Sequence, residues 1–323
     1  MRELINTKDR KILEQMEINA RQSNTQIAKK LGLSKDVVSY RIRKMEEKGI
    51  ISGYYSVLDV TKLGYITFKF MLTFHNTPSE VESEIREYLK NSPHVGWVVD
   101  CDGYYNLMVV TWVKNAIMFD NFFNRFLSKY CGYLKERDII IITENHACRK
   151  AYLFDKKCDE SPDIFYSGEA ESLLDDKDRA IVRFLAKDAK KPLHEIAGSL
   201  SLTGEAVAHR LKQLQKKQVI QAFRPVINTT LFGYQYYNIL FRLSKSDNIS
   251  KIFSFFKGQP NIIYFVRYLG SYDIGIDLEV KKADELRKIL RQVKDLFSED
   301  IESYHSILIY QEHKITYLPE NKE

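Results

Sequence analysis

The sequence predicts an α+β chain made of two tandem copies of one module, on three observations. A set of residue pairs recurs at one fixed spacing. The first third of each copy carries helical periodicity closed by a single strand. The remaining two thirds alternate strands with two helices. At 323 residues the chain exceeds the usual size of one domain, about 100–200 residues.

The spacing is 169 (178 − 9 for Asp9-Arg10 and Asp178-Arg179). The same shift carries Ile27-Ala28 onto Ile196-Ala197, and Leu31 and Leu33 onto Leu200 and Leu202. It also carries Val38 onto Val207, Arg41 onto Arg210, Ile51 onto Ile220 and Gly64-Tyr65 onto Gly233-Tyr234. The register holds from Asp9 to about Phe74. It then becomes 167, where Pro93, Gly103 and Tyr105 match Pro260, Gly270 and Tyr272. A loop near Thr77 is therefore expected to be two residues shorter in copy two. Between the copies, Lys156–Ser172 is polar, holds Pro162 and Gly168, lacks helical periodicity, and reads as a linker. The expected divisions are 1–60, 61–155, the linker 156–172, 173–230 and 231–320.

In copy one, Thr7 is a candidate N-cap for a helix whose face is Ile12, Leu13 and Met16. A short helix follows with Ile27, Ala28 and Leu31 inward, and Gly32 permits a sharp turn. Ser34 caps a third helix in which Val38, Ile42 and Met45 form one buried stripe. Gly49 suits its left-handed C-cap, and IISGYYSVLD reads as a strand. Helix, short helix, turn, helix and strand make a winged helix-turn-helix. The start of its last helix is the part that enters the DNA major groove. With the stripe inward, Lys35, Ser39, Tyr40, Arg43 and Lys44 face out, together with Asp36. Lys and Arg can reach guanine edges, and Ser and Tyr can reach phosphates. A helix with basic residues on one face is by itself an ordinary solvated surface; the turn before it and the strand after it make the motif more specific.

Copy two keeps the architecture with different chemistry. Its outward positions hold Gly204, Glu205, Ala206, Ala208, His209, Lys212 and Gln213, and Gln218 stands where Gly49 stood. Glu205 repels phosphate, although it could accept from cytosine. His209 and Lys212 are its DNA-contact candidates. Weak binding, reading of a different half-site and a purely structural role all stay open for this copy.

The rest of copy one reads strand (ITFKFMLTFH), helix opened by Pro78, two strands joined across Asp102–Tyr105, helix over Ala116–Lys129, and strand. That is the ferredoxin-like order βαββαβ. Copy two repeats it, with a helix over Ala283–Phe297.

The segment LSKDVVSYRIRKMEEKGIISGYYSVLD, followed by βαββαβ with a DGYYNL turn, resembles the leucine-responsive regulator/AsnC (Lrp/AsnC) family of archaeal and bacterial transcription regulators. The resemblance covers each copy nearly end to end. It implies sequence-specific binding to double-stranded DNA, pairing of the α+β sensor domains into dimers and higher oligomers, and an amino-acid-like effector. The family's effector loop reads Gly-x-Tyr-Asp. The matching residues are Gly270, Tyr272 and Asp273 in copy two, and Gly103, Tyr105 and Asn106 in copy one. Asn106 replaces an acid that could pair with an ammonium group. Read as structure alone, both loops are strand-connecting turns. One module per chain is the family's habit. Two suggest that the sensor domains pair within the chain, giving a built-in pseudo-dimer with two unlike helix-turn-helix units.

An enzyme alternative also rests on resemblance. Siroheme decarboxylases are similar to this family, some with two fused modules, and would use His and Arg around a tetrapyrrole. The candidates would be His94, Arg267, His305 and His313, with His146 and His313 expected at the surface after the last strands. No paired carboxylates, nucleophile–base set or Gly-rich phosphate loop stands elsewhere, so no catalytic residue and no cofactor is assigned. The four cysteines, Cys101, Cys131, Cys148 and Cys158, form no CxxC pair and read as reduced thiols of a cytoplasmic protein. His146 and Cys148 lack a second pair of ligands, so no metal is expected. The net charge of +6 suits a polyanionic partner without requiring one. The charged N-terminal stretch is unlike a secretion signal. The longest apolar run, Ile139–Thr143, suits a buried strand and not a membrane span of ~20 residues.

Overall fold

The computed structural model describes residues 4–154, 164–167 and 174–319. Copy one opens with α1 (Thr7–Ile18), α2 (Asn24–Leu31), α3 (Lys35–Glu47) and β1 (Ile51–Leu58). The stripe residues are where periodicity put them: Ile12, Met16, Val38 and Met45 are at most 2% exposed. Each such side chain contributes about 1.5–3 kcal/mol. Ser34 caps α3 through Val37 N, and Gly32 and Gly49 have φ of 63° and 68°. Thr7 is not the cap of α1. Asn6 is, accepting from Lys8 and Asp9 amides while the Asp9 side chain accepts from the Asn6 amide. A side-chain amide does what a hydroxyl was expected to do, one residue earlier.

The α+β part of copy one holds β2 (Ile66–Phe74), α4 (Ser79–Lys90), β3 (Val95–Asp102), β4 (Leu107–Val113), α5 (Ala116–Tyr130) and β5 (Leu134–Ala147). Strand β6 (Ile164–Ser167) pairs antiparallel with the end of β5, so part of the expected linker carries regular structure; the rest of 156–172 lies outside the described residues. Copy two holds α6 (Asp176–Lys187), α7 (Leu193–Ser199), α8 (Gly204–Lys216), β7 (Ile220–Ile227), β8 (Gln235–Leu243), α9 (Ile249–Lys257), β9 (Ile262–Leu269), β10 (Ile274–Val280), α10 (Ala283–Phe297) and β11 (Ile301–Ile315). The two-residue deletion is not taken from the loop. The β8–α9 connection, 244–248, is longer than its counterpart 75–78, and the loss falls in the helix: α4 has 12 residues and α9 has 9.

The two α+β units join edge to edge. The strand order is β2-β4-β3-β11-β8-β10-β9-β5, and β5 also pairs with β2, which closes an eight-stranded antiparallel barrel. The joints are β3–β11 and β5–β9, the second strand of one copy against the fourth of the other. Helices α4 and α5 cover one side of the barrel over Phe70, Leu89 and Phe126, and α9 and α10 cover the other over Phe241, Phe256 and Val293. An eight-stranded barrel leaves an interior just wide enough for side chains or one small ligand.

The helix-turn-helix units are also locked to each other. Strands β1 and β7 form an antiparallel ribbon, with α1 packed on β7 and α6 on β1. Equivalent backbone bonds cross in both directions: Ala20 N to Phe223 O at 2.8 Å and Ala189 N to Tyr54 O at 3.1 Å. The chain is thus its own pseudo-dimer. Near the pseudo-twofold axis, residues related by the repeat touch: Lys69 Nζ donates to Asn238 Oδ1 at 3.0 Å, and Tyr105 and Tyr272 share a 2.8 Å hydrogen bond.

Three expectations of exposure or burial are corrected. His146 is not a surface residue beyond the last strand. It lies within β5, 5% exposed, with Nε2 2.6 Å from Glu144 and its ring against Phe253 of α9. His313 lies within β11, half-buried, 2.9 Å from Asp100. The run Ile139–Thr143 is not wholly buried, because Ile139 is 38% exposed while Ile140 fills the barrel. Alternation, not the length of the apolar run, decides which side chains go in.

Candidate functional site

The outward face of α3 is exposed as its pattern requires. Lys35, Tyr40, Arg43 and Lys44 are all exposed, with Tyr40 at 53%. Arg43 and Lys44 stand 5.9 and 5.8 Å from the Tyr40 ring centroid, and both reach Glu47, at 3.7 and 2.9 Å. Glu47 holds the Lys44 ammonium above its ordinary value, so it stays charged. These surface pairs are weak and exchangeable for phosphate. Ser39 is half-buried and accepts from Asn24 Nδ2 at 2.8 Å, which ties α3 to α2. Arg41 is not part of this face: it reaches Asp9 at 2.9 Å and Asn6 at 3.1 Å and fastens α3 to α1. Arg210 repeats this with Asp175 and Asp178, both at 2.7 Å.

On α8, His209 and Lys212 are exposed beside Glu205. The two recognition helices are held by one ribbon but present different surfaces: cationic and aromatic on α3, small and mixed on α8. Gln218 takes φ of 57° where Gly49 has 68°, so the turn after the helix survives without glycine.

The sensor-loop candidates lie at barrel turns. Gly103 and Gly270 have φ of 130° and 141°. Tyr105 is fully buried and donates to Asp138 Oδ2 at 2.6 Å; burial and that carboxylate push its phenol far above the ordinary value. Tyr272, 6% exposed, completes the pair from the other copy. Asn106 Oδ1 accepts from Phe74 N at 2.8 Å, and Asp273 Oδ2 accepts from Leu243 N at 2.7 Å, the same bond one repeat apart. Each turn is latched from the first strand of its own α+β unit, by Thr73 Oγ1 of β2 to Tyr104 O and by Arg242 of β8 to Ser271 O, both at 3.0 Å. The acid-or-amide position therefore already caps backbone in both copies.

A feature the motifs did not flag is a cavity of about 830 Å³ at the barrel mouth facing the β1–β7 ribbon. All eight barrel strands contribute to its wall. Its charged side chains are Lys69, Lys150, Asp277, Glu279 and Glu312. Among the described residues neither His nor Arg lines it, and His94, Arg267, His305 and His313 are all absent from its wall. They are scattered instead: His94 packs on Phe122 of α5, Arg267 pairs with Glu144, and His305 packs on Tyr104. A tetrapyrrole bearing several carboxylates does not fit a wall with more carboxylates than ammonium groups.

Comparison with known proteins agrees with the first of the two sequence readings. Residues 5–52 match a family model described as winged helix-turn-helix DNA-binding, and residues 174–215 match the AsnC-type helix-turn-helix domain. The HTH-type transcriptional regulator LrpA of Pyrococcus horikoshii is 33% identical over 139 residues, 97% of its length and 43% of this chain. The chain belongs to the Lrp/AsnC family. The HTH-type transcriptional regulator FL11 of Pyrococcus furiosus is 30% identical over 144 residues, 94% of its length and 45% of this chain. Each of these Lrp/AsnC relatives thus corresponds to less than half of the chain. Over 96% of the chain, and 93% of the other, the fold matches the siroheme decarboxylase NirDL with a TM-score of 0.64. At 13% identity this is a likeness of fold. No helix among the described residues is long and apolar enough to cross a membrane.

Proposed function

We propose that this chain is a sequence-specific DNA-binding transcription regulator, and not an enzyme, in which one polypeptide supplies the two-headed unit that the family builds from two. The observation that carries this reading is the exposed α3 face, with Lys35, Tyr40, Arg43 and Lys44 on a helix held by the β1–β7 ribbon. Lys35, Arg43 and Lys44 contact phosphates and base edges, Ser39 and Tyr40 contact phosphates, and His209 and Lys212 make a weaker second contact set. The two heads differ, so the preferred site is asymmetric and not palindromic. The divisions 1–60, 61–155, 173–230 and 231–320 serve this reading as head, sensor, head and sensor. Copies of the chain associate further, as regulators of this family do, and work in the cytoplasm beside the chromosome.

The Gly270, Tyr272 and Asp273 turn is the better candidate for an amino-acid-like effector. It keeps a carboxylate where Gly103, Tyr105 and Asn106 offer an amide. The test is selection from sheared genomic DNA, followed by sedimentation of the chain on an enriched fragment. The expected outcome is a small set of enriched fragments whose protected sites lack a palindrome. Recovery of all fragments in proportion to their abundance would remove the regulator reading.

A further inference from the structure

The cavity at the barrel mouth is asymmetric in a way that a dimer of identical chains cannot be. Position by position, the repeat pairs Lys69 with Asn238, Trp97 with Tyr264 and Asn145 with Glu312. Two of its carboxylates already have partners. Asp277 accepts from Asn238 Nδ2 at 2.7 Å, and Asn238 in turn accepts from Lys69. Glu279 receives Lys150 Nζ at 2.9 Å on both oxygens and Thr229 Oγ1 at 3.0 Å.

Glu312 is the third. Its carboxylate accepts from Trp97 Nε1 at 2.9 Å, and the charge of Lys150, itself held on Glu279, also reaches it. Its surroundings are aromatic. The Trp97 and Tyr236 rings lie 6.4 Å apart, and Tyr55 and Tyr317 stack at 4.2 Å on the same wall. Burial pushes the Glu312 carboxyl above its ordinary value and Glu279 adds to the rise, while the Trp97 bond and the Lys150 charge oppose it. The surplus carboxylate faces a space of about 830 Å³, within the roughly 300–1,000 Å³ of small-molecule sites. A carboxylate among π-faces is the chemistry that binds an organic cation.

We propose that this cavity binds one organic ammonium ion with a flat apolar body, its charge seated between the Glu312 carboxylate and the Tyr236 ring, since the Lys69 ammonium already stands 5.9 Å over the Trp97 ring. One chain takes one ligand, because only one copy carries the acid. The ligand bridges the β1–β7 ribbon and the barrel, and so couples the barrel to the seam that sets the two DNA-binding heads. Binding itself is independent of the regulator reading and is measured without DNA.

The chain has two tryptophans, Trp97 and Trp112, and both line the cavity, so intrinsic fluorescence reports on it directly. The full chain is titrated with benzyltrimethylammonium and with phenethylamine, then with 2-phenylethanol and 3-phenylpropionate as neutral and anionic controls. Saturable fluorescence changes are expected for both cations, with the alcohol at least tenfold weaker and the anion weaker still. Glu312→Gln, checked by its thermal melt, should weaken both cations about tenfold and leave the alcohol unchanged. The charge series needs no variant, so it decides even if Glu312→Gln does not fold. No saturable change with either cation, equal affinity for the alcohol, tighter binding of the anion, or cation binding unaltered in a folded Glu312→Gln would each overturn the site.

Discussion

Lys69 sits near the pseudo-twofold axis, 3% exposed, and its replacement by Met tests how tightly the two copies are coupled. Met keeps most of the side chain's length and removes the charge. What remains is Asp277, 7% exposed, whose nearest polar partner is the neutral Asn238. Removing one partner of a buried charge system costs about 3–5 kcal/mol, because the other charge is left uncompensated. For a cooperative unit of this length, with unfolding entropy proportional to residue number, 1 kcal/mol is worth about 1.5 °C, so Tm should fall by about 4–7 °C.

The pH dependence follows from Asp277, whose carboxyl burial already holds above the ordinary value. A folded value above the unfolded one, about 3.9, means that the folded state keeps its proton longer. Stability from that proton is complete below about pH 4 and is lost as pH rises through the folded value. The deficit of Lys69→Met relative to wild type should therefore be larger at pH 7 than at pH 4. Adding Asp277→Asn should recover at least half of the loss at pH 7. Scanning calorimetry of the wild type, the two single variants and the double variant is the assay. A single-variant loss below about 0.5 kcal/mol, or strictly additive losses in the double variant, would refute the coupling, since additivity is expected only of independent sites.

Other consequences follow from the barrel turns. Tyr105→Phe removes the hydroxyl that joins Asp138 to Tyr272 and should cost about 1.5–3 kcal/mol by denaturant titration; an unchanged midpoint would mean the pair is not a structural tie. A Cβ on Gly270 would lie 2.8 Å from Ile140 Cγ2 and 3.0 Å from Ile139 O at a φ of +141°. Gly270→Ala should therefore lose the roughly 1–3 kcal/mol of backbone strain and more from the clash. Gly32→Ala, with open space around it, should lose less; equal losses would contradict the packing.

The repeat, the helix faces and the βαββαβ order were legible in the sequence because each is a local or periodic signal. Val38, Ile42 and Met45 announced α3 by spacing alone. The closed barrel was not legible. Its joints, β3–β11 and β5–β9, depend on edge strands meeting across about 200 and 120 residues of chain, which no local period encodes. The cavity was hidden for a related reason. In an open sheet, Lys69, Asn238, Asp277 and Glu279 would point to solvent, but closure turns that face inward. A signal existed: ITFKFMLTF and IGIDLEV place charges inside apolar runs buried on both faces. The deletion near Thr77 was misplaced because sequence register gives a net length change without saying which element absorbs it.

The central claim is that copy one reads DNA through α3 while copy two contributes less. On one selected fragment, affinity is measured against salt for wild type, Arg43→Ala/Lys44→Ala and His209→Ala/Lys212→Ala. At about 0.9 per lost phosphate contact, the first pair should flatten the log–log slope by up to about 1.8, and the second by less than about 0.9. An unchanged slope and affinity in Arg43→Ala/Lys44→Ala would contradict the account.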